Sequence, residues 1–193
     1  MLGILRHRDN IPPVVGGVLQ IGIVGNLIYQ HPINYGDNYG KNAYIFTAAE
    51  LGTAKTITAL SFYIRSFSPP LSYTSQKIKM GLVTQSAFPS ATPNMDFTDL
   101  TLTGFVTAKN AFTFSIPTNG IWYTLTLDTP FIYDGVKNLL VVWENNMGSW
   151  MSQTGGTSYL AVTNTVATKY SAISPITGNG TRSSNRPVIK IHY

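Results

Sequence analysis

The sequence predicts an all-β chain folded as an antiparallel β-sandwich, and three observations carry this prediction. From Ala43 onward, short apolar runs with alternating polarity recur at the spacing typical of sandwiches. No alternation of strands with long helices is present, which argues against a nucleotide-binding α/β fold. Turn-forming residues separate the runs, at Pro69-Pro70, Thr118-Asn119-Gly120, Asp134-Gly135, Gly155-Gly156 and Gly178-Asn179-Gly180.

The individual strands are predicted from a period of two. In residues 57–66, Leu60, Phe62 and Ile64 point to one face, while Ser61, Tyr63 and Arg65 point to the other. In residues 122–128, the alternation places Tyr123, Leu125 and Leu127 inward against Thr124 and Thr126. The same pattern predicts strands over residues 77–83, 112–116 and 188–193.

Residues 138–143 differ from the other runs because they are apolar on both faces. This pattern indicates a central strand that is covered on both sides, and it makes Trp143 a core residue. Residues 46–51 are the one stretch in which we expect a helical turn.

Composition limits the class of protein. A chain of 193 residues suits one sandwich, and its charged fraction of 11% indicates a surface made largely of uncharged polar groups. Such surfaces suit proteins that pack into assemblies or contact sugars. The net charge of +5 is spread along the chain without a basic stripe, so we expect no specific nucleic-acid binding. The absence of cysteine excludes disulfides and thiolate chemistry.

The first 35 residues form a separate N-terminal arm in our interpretation, and residues 36–193 form the sandwich domain. The apolar stretch at residues 14–25 is too short and too rich in glycine to span a membrane or to serve as a leader, so we expect neither. One interpretation has it dock on a neighbouring subunit as an added strand, and the other makes it the first strand of its own sandwich. The docking candidates are Val14, Val15, Val18, Leu19, Ile21 and Ile23.

Four blocks together resemble a module of Bacteroidetes surface and secreted proteins, the jelly-roll β-sandwich related to cleaved adhesin domains. The blocks are residues 43–63 (AYIFTAAELGTAKTITALSFY), 77–90 (KIKMGLVTQSAFPS), 120–150 (GIWYTLTLDTPFIYDGVKNLLVVWENNMGSW) and 185–193 (NRPVIKIHY). This resemblance implies a jelly-roll-like fold with an extended N-terminal arm. It also implies a non-catalytic role in adhesion or in binding carbohydrate and protein.

A lone module of this type, with an arm that has no counterpart in the family, is what we expect of a phage that infects Bacteroidetes. The chain would be a virion component, such as a head decoration, fibre base or tail protein, assembled in the host cytoplasm. Its partners would be copies of itself, other virion proteins and host surface glycans. The alternative is a bacterial cell-surface or secreted carbohydrate-binding module.

Catalytic patterns are weak in this sequence. The histidines, His7, His31 and His192, lie far apart, and none is flanked by an acid that would orient it. No nucleophile elbow, zinc-protease motif or phosphate loop is present. Since glycosidase carboxylate pairs come from distant strands and leave no local motif, the eight acids keep that alternative open.

Candidate binding sites are predicted from acids and exposed aromatics. Asp128, Asp134 and Glu144 flank two strands that we expect to be adjacent, and their hard oxygen ligands would suit calcium. Asp134 has an ordinary alternative role in its turn. Aromatic rings beside polar side chains are typical of sugar contacts. The carbohydrate candidates are Tyr35, Asp37, Asn145, Asn146 and Trp150, although packing in an assembly would explain Trp150 equally well.

Overall fold

The computed structural model describes residues 16–29, 31–33, 37–67, 71–150, 155–171 and 174–193. The predicted docking residues Val14 and Val15, the carbohydrate candidate Tyr35 and the turn at Pro69-Pro70 lie outside these ranges.

The described residues form eleven strands and one short helix, which confirms the all-β prediction. All strand pairs are antiparallel. In chain order the elements are β1 (Val18–Ile21), β2 (Leu27–Tyr29), β3 (Tyr39–Phe46), α1 (Ala48–Leu51), β4 (Lys55–Phe67), β5 (Leu71–Val83), β6 (Leu102–Ile116), β7 (Ile121–Tyr133), β8 (Asn138–Asn145), β9 (Gly155–Ser171), β10 (Thr181–Pro187) and β11 (Ile189–His192).

The strands form two layers, which we name sheet A and sheet B. In sheet A, β4 lies between β7 and β11, and the first residues of β9 continue the line of β11 along β4. The edge beyond them consists of β1, paired with β11, and β2, paired with β9. Sheet B has the order β10, β9, β3, β8, β5, β6. Because β9 begins in sheet A and continues into sheet B, it joins the two layers.

The main core lies between the two sheets. Its centre is Trp143 of β8, which is buried and makes edge-to-face contacts with Phe62 of β4 and with Phe112 and Phe114 of β6. The ring centroids are 5.2–5.4 Å apart, within the range that favours aromatic pairs. The predicted core position of Trp143 is therefore confirmed.

Strand β8 is covered on both faces, as its sequence predicts. Leu139, Val141 and Trp143 face the main core, while Leu140 and Val142 belong to a second apolar cluster on the outer face of sheet B. The connection between β5 and β6 covers this second cluster with Phe88, Met95, Phe97 and Leu100. The long connection thus removes from water a sheet face that would otherwise be exposed.

The predicted helical turn is α1, and its sequence explains its start. Thr47 and Glu50 form a reciprocal capping box, in which each side chain accepts a hydrogen bond from the other residue's backbone N–H. Glu50 also pairs with Arg186 of β10, whose side chain is fully buried and also donates to the carbonyl oxygen of Ile45. Among the described residues, no helix is long and apolar enough to cross a membrane.

The described part of the N-terminal segment belongs to the chain's own sandwich. Val18 pairs with His192 and Ile21 with Ile189, so β1 extends sheet A. Ile33 is buried in the main core. The ring of His31 is also buried, and its Nδ1 lies 2.9 Å from the Tyr44 hydroxyl. Of the two interpretations left open by the sequence, the structure therefore shows the intramolecular one for β1.

One predicted turn is wrong. Gly155 and Gly156 begin β9 instead of forming a turn, and Gly156 is hydrogen-bonded between Tyr29 of β2 and Ser66 of β4. Paired glycines are a turn signal in sequence. Here Gly156 is buried at a position where strands on both sides approach closely.

Candidate functional site

The outer face of sheet A presents a row of polar and aromatic side chains. Alternation along β4 turns Ser61 and Tyr63 outward, and the register places Trp122 of β7 opposite Tyr63. The outward residues of the flanking strands lie beside them. We name this set the outer strip, and its members are Ser61, Tyr63, Trp122, Thr124, Lys190 and His192.

Two partly exposed aromatic rings lie at one end of the outer strip. Tyr63 and Trp122 make an edge-to-face contact with their ring centroids 5.5 Å apart. The Lys190 ammonium lies over the Trp122 ring, 4.2 Å from its centroid. Such a contact at an exposed site is worth about 0.5–1 kcal/mol. A ligand that stacks on Trp122 could therefore displace the lysine at small cost.

The middle of the outer strip is a hydrogen-bonded polar cluster. Ser61 is almost fully buried, and its hydroxyl lies 2.8 Å from the Thr124 hydroxyl and 2.6 Å from His192 Nε2. Burial, and then the nearby Lys190 charge, lowers the pKa of His192. The imidazole is thus neutral at physiological pH, and it offers one donor and one acceptor.

The contact between the Ser61 hydroxyl and the His192 imidazole resembles that between a catalytic nucleophile and its general base. A catalytic pair of this kind normally needs a third group that orients the base. Among the described residues, no carboxylate is hydrogen-bonded to His192. Ser61 is also covered by its neighbours. The accessible polar groups of the cluster belong to Thr124 and His192, and they suit hydrogen bonding of a ligand's hydroxyl groups better than attack on a substrate.

The carbohydrate candidates named from sequence have different environments. Asn145 is buried, and its Oδ1 accepts from Gln76 Nε2 at 2.7 Å, so it is an internal structural residue. Its amide also approaches the backbone oxygen of Asp37. Asn146 lines a shallow cleft of about 250 Å³ with Glu144. Trp150 is 62% exposed at the end of the adjoining loop. Among the described candidates, Asp37 and Asn146 are half-buried and Trp150 is exposed, so Asn145 is the one whose side chain is not accessible as the prediction requires.

The acids predicted to hold calcium are not brought together. Their strands, β7 and β8, lie in different sheets instead of side by side, which corrects the predicted adjacency. Asp128 accepts from the Asn110 backbone amide and then from Lys109 Nζ, and these hydrogen bonds lower its pKa. Within the described ranges, no group of three or more acidic or histidine side chains could hold a metal ion.

The other two acids have structural partners. Asp134 accepts from the backbone amides of Lys137 and Val136 in the turn between β7 and β8, and these hydrogen bonds lower its pKa. Glu144 forms an ion pair with Lys79 at 2.9 Å and lies 3.6 Å from Lys41. Both carboxylates thus stabilise the fold locally.

The docking residues predicted in the N-terminal segment divide between the core and the surface. Leu19 and Ile21 pack in the chain's own main core, so they do not offer a docking surface. Val18 and Ile23 are 56% and 82% exposed. Among the described members of the predicted set, these two remain accessible to another protein.

Sequence reasoning missed Trp122, the partly exposed aromatic at one end of the candidate site. The signal was present, because alternation that places Tyr123 inward must place Trp122 outward. Its neighbours Lys190 and His192 could not be found in the same way, since β11 follows β7 by more than fifty residues and only the sheet order brings them together.

Comparison with known proteins adds no relative from which a function could be transferred. No protein-family model, no curated protein and no solved structure matches this chain.

Proposed function

We propose that this chain is a non-catalytic adhesion protein that binds glycans through the outer strip. The observation that carries the proposal is the juxtaposition of Tyr63 and Trp122 with the hydrogen-bonded cluster of Ser61, Thr124 and His192 on one sheet face. A sugar ring has an apolar face bordered by hydroxyl groups. It therefore fits an aromatic ring flanked by fixed polar side chains.

The sheet holds the outer strip in place. Ser61 and Tyr63 lie on β4, which is hydrogen-bonded on both sides and whose opposite face carries Phe62 and Ile64 of the main core. Side chains on such a strand keep their positions when a ligand binds, which lowers the entropic cost of association. This rigidity favours a recognition surface over a mobile catalytic loop.

The setting that we propose is the virion of a phage that infects Bacteroidetes, where the sandwich would be displayed for adhesion. The resemblance of the four sequence blocks supports this setting. Val18 and Ile23 add an exposed apolar surface at the edge of sheet A, next to the N-terminal segment. Edge strands are frequent docking points for another chain. Docking through this edge would leave the outer face of β4 and β7 free.

A glycan microarray tests the binding proposal. We expect specific signals from the wild-type protein, loss of those signals in Trp122→Ala, and retention in Trp150→Ala, the matched control at the other exposed tryptophan. Loss in Trp150→Ala with retention in Trp122→Ala would move the site to the loop after β8. An array on which both variants behave like the wild type would contradict the proposed site.

Particle composition tests the virion setting. We expect mass spectrometry of purified phage particles to detect the chain, and light scattering of the isolated protein to give an oligomer that Val18→Glu or Ile23→Glu dissociates. A chain that is present in infected cells and missing from purified particles would contradict this part of the proposal. A monomer unaffected by either substitution would contradict docking through this edge.

A further inference from the structure

A second lysine and aromatic pair lies at the end of sheet A, away from Trp122. The Lys55 ammonium is 4.4 Å from the ring centroid of Tyr193, much as Lys190 is 4.2 Å from that of Trp122. Tyr193 directly follows β11, and Lys55 begins β4. The two pairs therefore lie towards opposite ends of β4, because Trp122 is paired with Tyr63 near its far end.

A cavity of about 670 Å³ opens beside Lys55 and Tyr193. Thr56, Thr58 and Ile132 form part of its wall, and Ile132 is 76% exposed. Its volume is within the range of sites that bind small ligands or single units of a larger one. The cavity lies next to the outer strip, since Thr58 Oγ1 donates to the backbone oxygen of His192.

Two polar groups that line this cavity have unused hydrogen-bonding capacity. The Tyr133 hydroxyl is buried and has no hydrogen-bond partner among the described residues. Burial, and then Asp134, raises the pKa of Tyr133, so the hydroxyl is a neutral donor at physiological pH. Lys55 donates to the carbonyl oxygen of Leu51, which uses one of its three donors. Both groups would be satisfied by an anionic oxygen.

The charges on these strands are of one sign. Strands β1, β4 and β11 contain no acidic residue, and they contribute Lys190 to the outer face of sheet A and Lys55 to its end. The only acid of β7, Asp128, is paired with Lys109. Asp134 follows β7, and its carboxylate is bound by backbone amides of its own turn. The surface between Trp122 and Tyr193 is thus complementary to an anion.

The two pairs are far enough apart to require an extended ligand. Tyr63 is opposite Trp122, and Thr58 contacts the backbone beside Tyr193, so five residues of β4 separate the pairs. At about 3.3 Å per residue, this separation is roughly 16 Å. Ser61, Thr124 and His192 lie between them with polar atoms.

We infer that the outer strip and this cavity form one elongated site for an anionic polysaccharide. The chain would stack one ring on Trp122 and a later one on Tyr193, and its carboxylate or sulfate groups would pair with Lys190 and Lys55. Tyr133 would donate to an anionic oxygen in the cavity. The inference rests on the proposed function, and it specifies the charge and length of the glycan.

Titration calorimetry with defined polymers tests this inference. The probes are polygalacturonate with its neutral methyl ester, and dextran sulfate with neutral dextran, so the two arms distinguish carboxylate from sulfate. We expect at least one polyanion to bind, with its neutral counterpart weaker by about tenfold or more. Charged oligomers of two units should bind more weakly than the polymer, because they reach only one lysine.

Substitutions distinguish binding at a specific site from nonspecific attraction of a polyanion to a basic protein. We expect Lys55→Gln and Tyr133→Phe to weaken polyanion binding by about tenfold and fivefold, and Lys55→Arg to retain it. Lys169→Gln on sheet B removes the same charge and should change affinity by less than about twofold. Thermal melts should show that these variants fold.

The outcomes distinguish this inference from the proposed function. Equal binding of charged and neutral polymers, no polyanion binding, or equal effects of Lys55→Gln and Lys169→Gln would overturn the inference. If Trp122→Ala still abolished binding of a neutral glycan in those cases, the proposed function would stand. Polyanion binding that is unaffected by Trp122→Ala would overturn both.

Discussion

The ion pair between Glu50 and Arg186 offers a sharp test of how the sandwich is held together. Arg186 has a side-chain exposure of 0%, and Glu50 has one of 23%. The guanidinium also donates to Ile45 and lies 4.2 Å from the Phe46 ring centroid. Burial alone would raise the pKa of Glu50, but the hydrogen bonds from Arg186 and Thr47 outweigh it and lower this pKa. The carboxylate is therefore charged near neutral pH.

The two partners should have unequal effects on stability because their burial differs. Glu50→Ala leaves the buried guanidinium without its counter-charge, which costs about 3–5 kcal/mol. It also removes the capping box of α1, which costs about 1 kcal/mol. Arg186→Met leaves a carboxylate that water can reach and that still caps the helix, so we expect a loss of about 1–2 kcal/mol. The double variant should be more stable than Glu50→Ala, since no buried charge remains.

Urea denaturation of the two single variants and the double variant measures these differences as a double-mutant cycle. Asp96→Ala is the matched control, because it removes an exposed acid and should change the free energy of unfolding by less than about 0.5 kcal/mol. A loss below about 1 kcal/mol for Glu50→Ala would refute the reasoning. A double variant less stable than Glu50→Ala would refute it as well.

Two further predictions concern buried polar groups. Burial lowers the pKa of His31 from 6.5 to about 3, so between these pH values the unfolded chain binds a proton that the folded chain does not. Stability should fall by about 2.5 kcal/mol between pH 7 and pH 4.5, and His31→Gln should flatten that dependence in pH-resolved denaturation. Gln76→Leu removes the acceptor of the buried Trp143 indole N–H and one of the two donors to Asn145 Oδ1, so it should cost about 1–3 kcal/mol in urea denaturation. A cost below that of Gln85→Leu, at a polar surface site, would contradict this assignment.

Sequence periodicity predicted the strands that keep one face in the core. The runs in β4, β7 and β8 alternate regularly or are apolar throughout, so their type and burial could be predicted. Strand β9 was missed because it changes sheets along its length and begins with two glycines, which breaks any single alternation. The pairing of β1 with β11 joins opposite ends of the chain, and no local pattern encodes it.

The candidate site was less predictable than the fold for a related reason. Loop position favoured Trp150 and Asn145, but the structure buries Asn145 in a hydrogen-bond network with Gln76. The outer strip is assembled from β4, β7 and β11, whose adjacency depends on the sheet order. The residue types in the sequence could therefore suggest that the protein has a glycan-binding surface. Its location could be found only once the order of the strands in sheet A was known.

The most direct test of glycan binding at the outer strip is an NMR titration of the indole N–H signals. The chain has 3 tryptophans, which Trp122→Phe and Trp150→Phe assign by difference. A glycan selected on the array should shift the Trp122 signal and leave those of the buried Trp143 and of Trp150, in the loop after β8, nearly unchanged. A shift of Trp150 with an unmoved Trp122 would contradict the account.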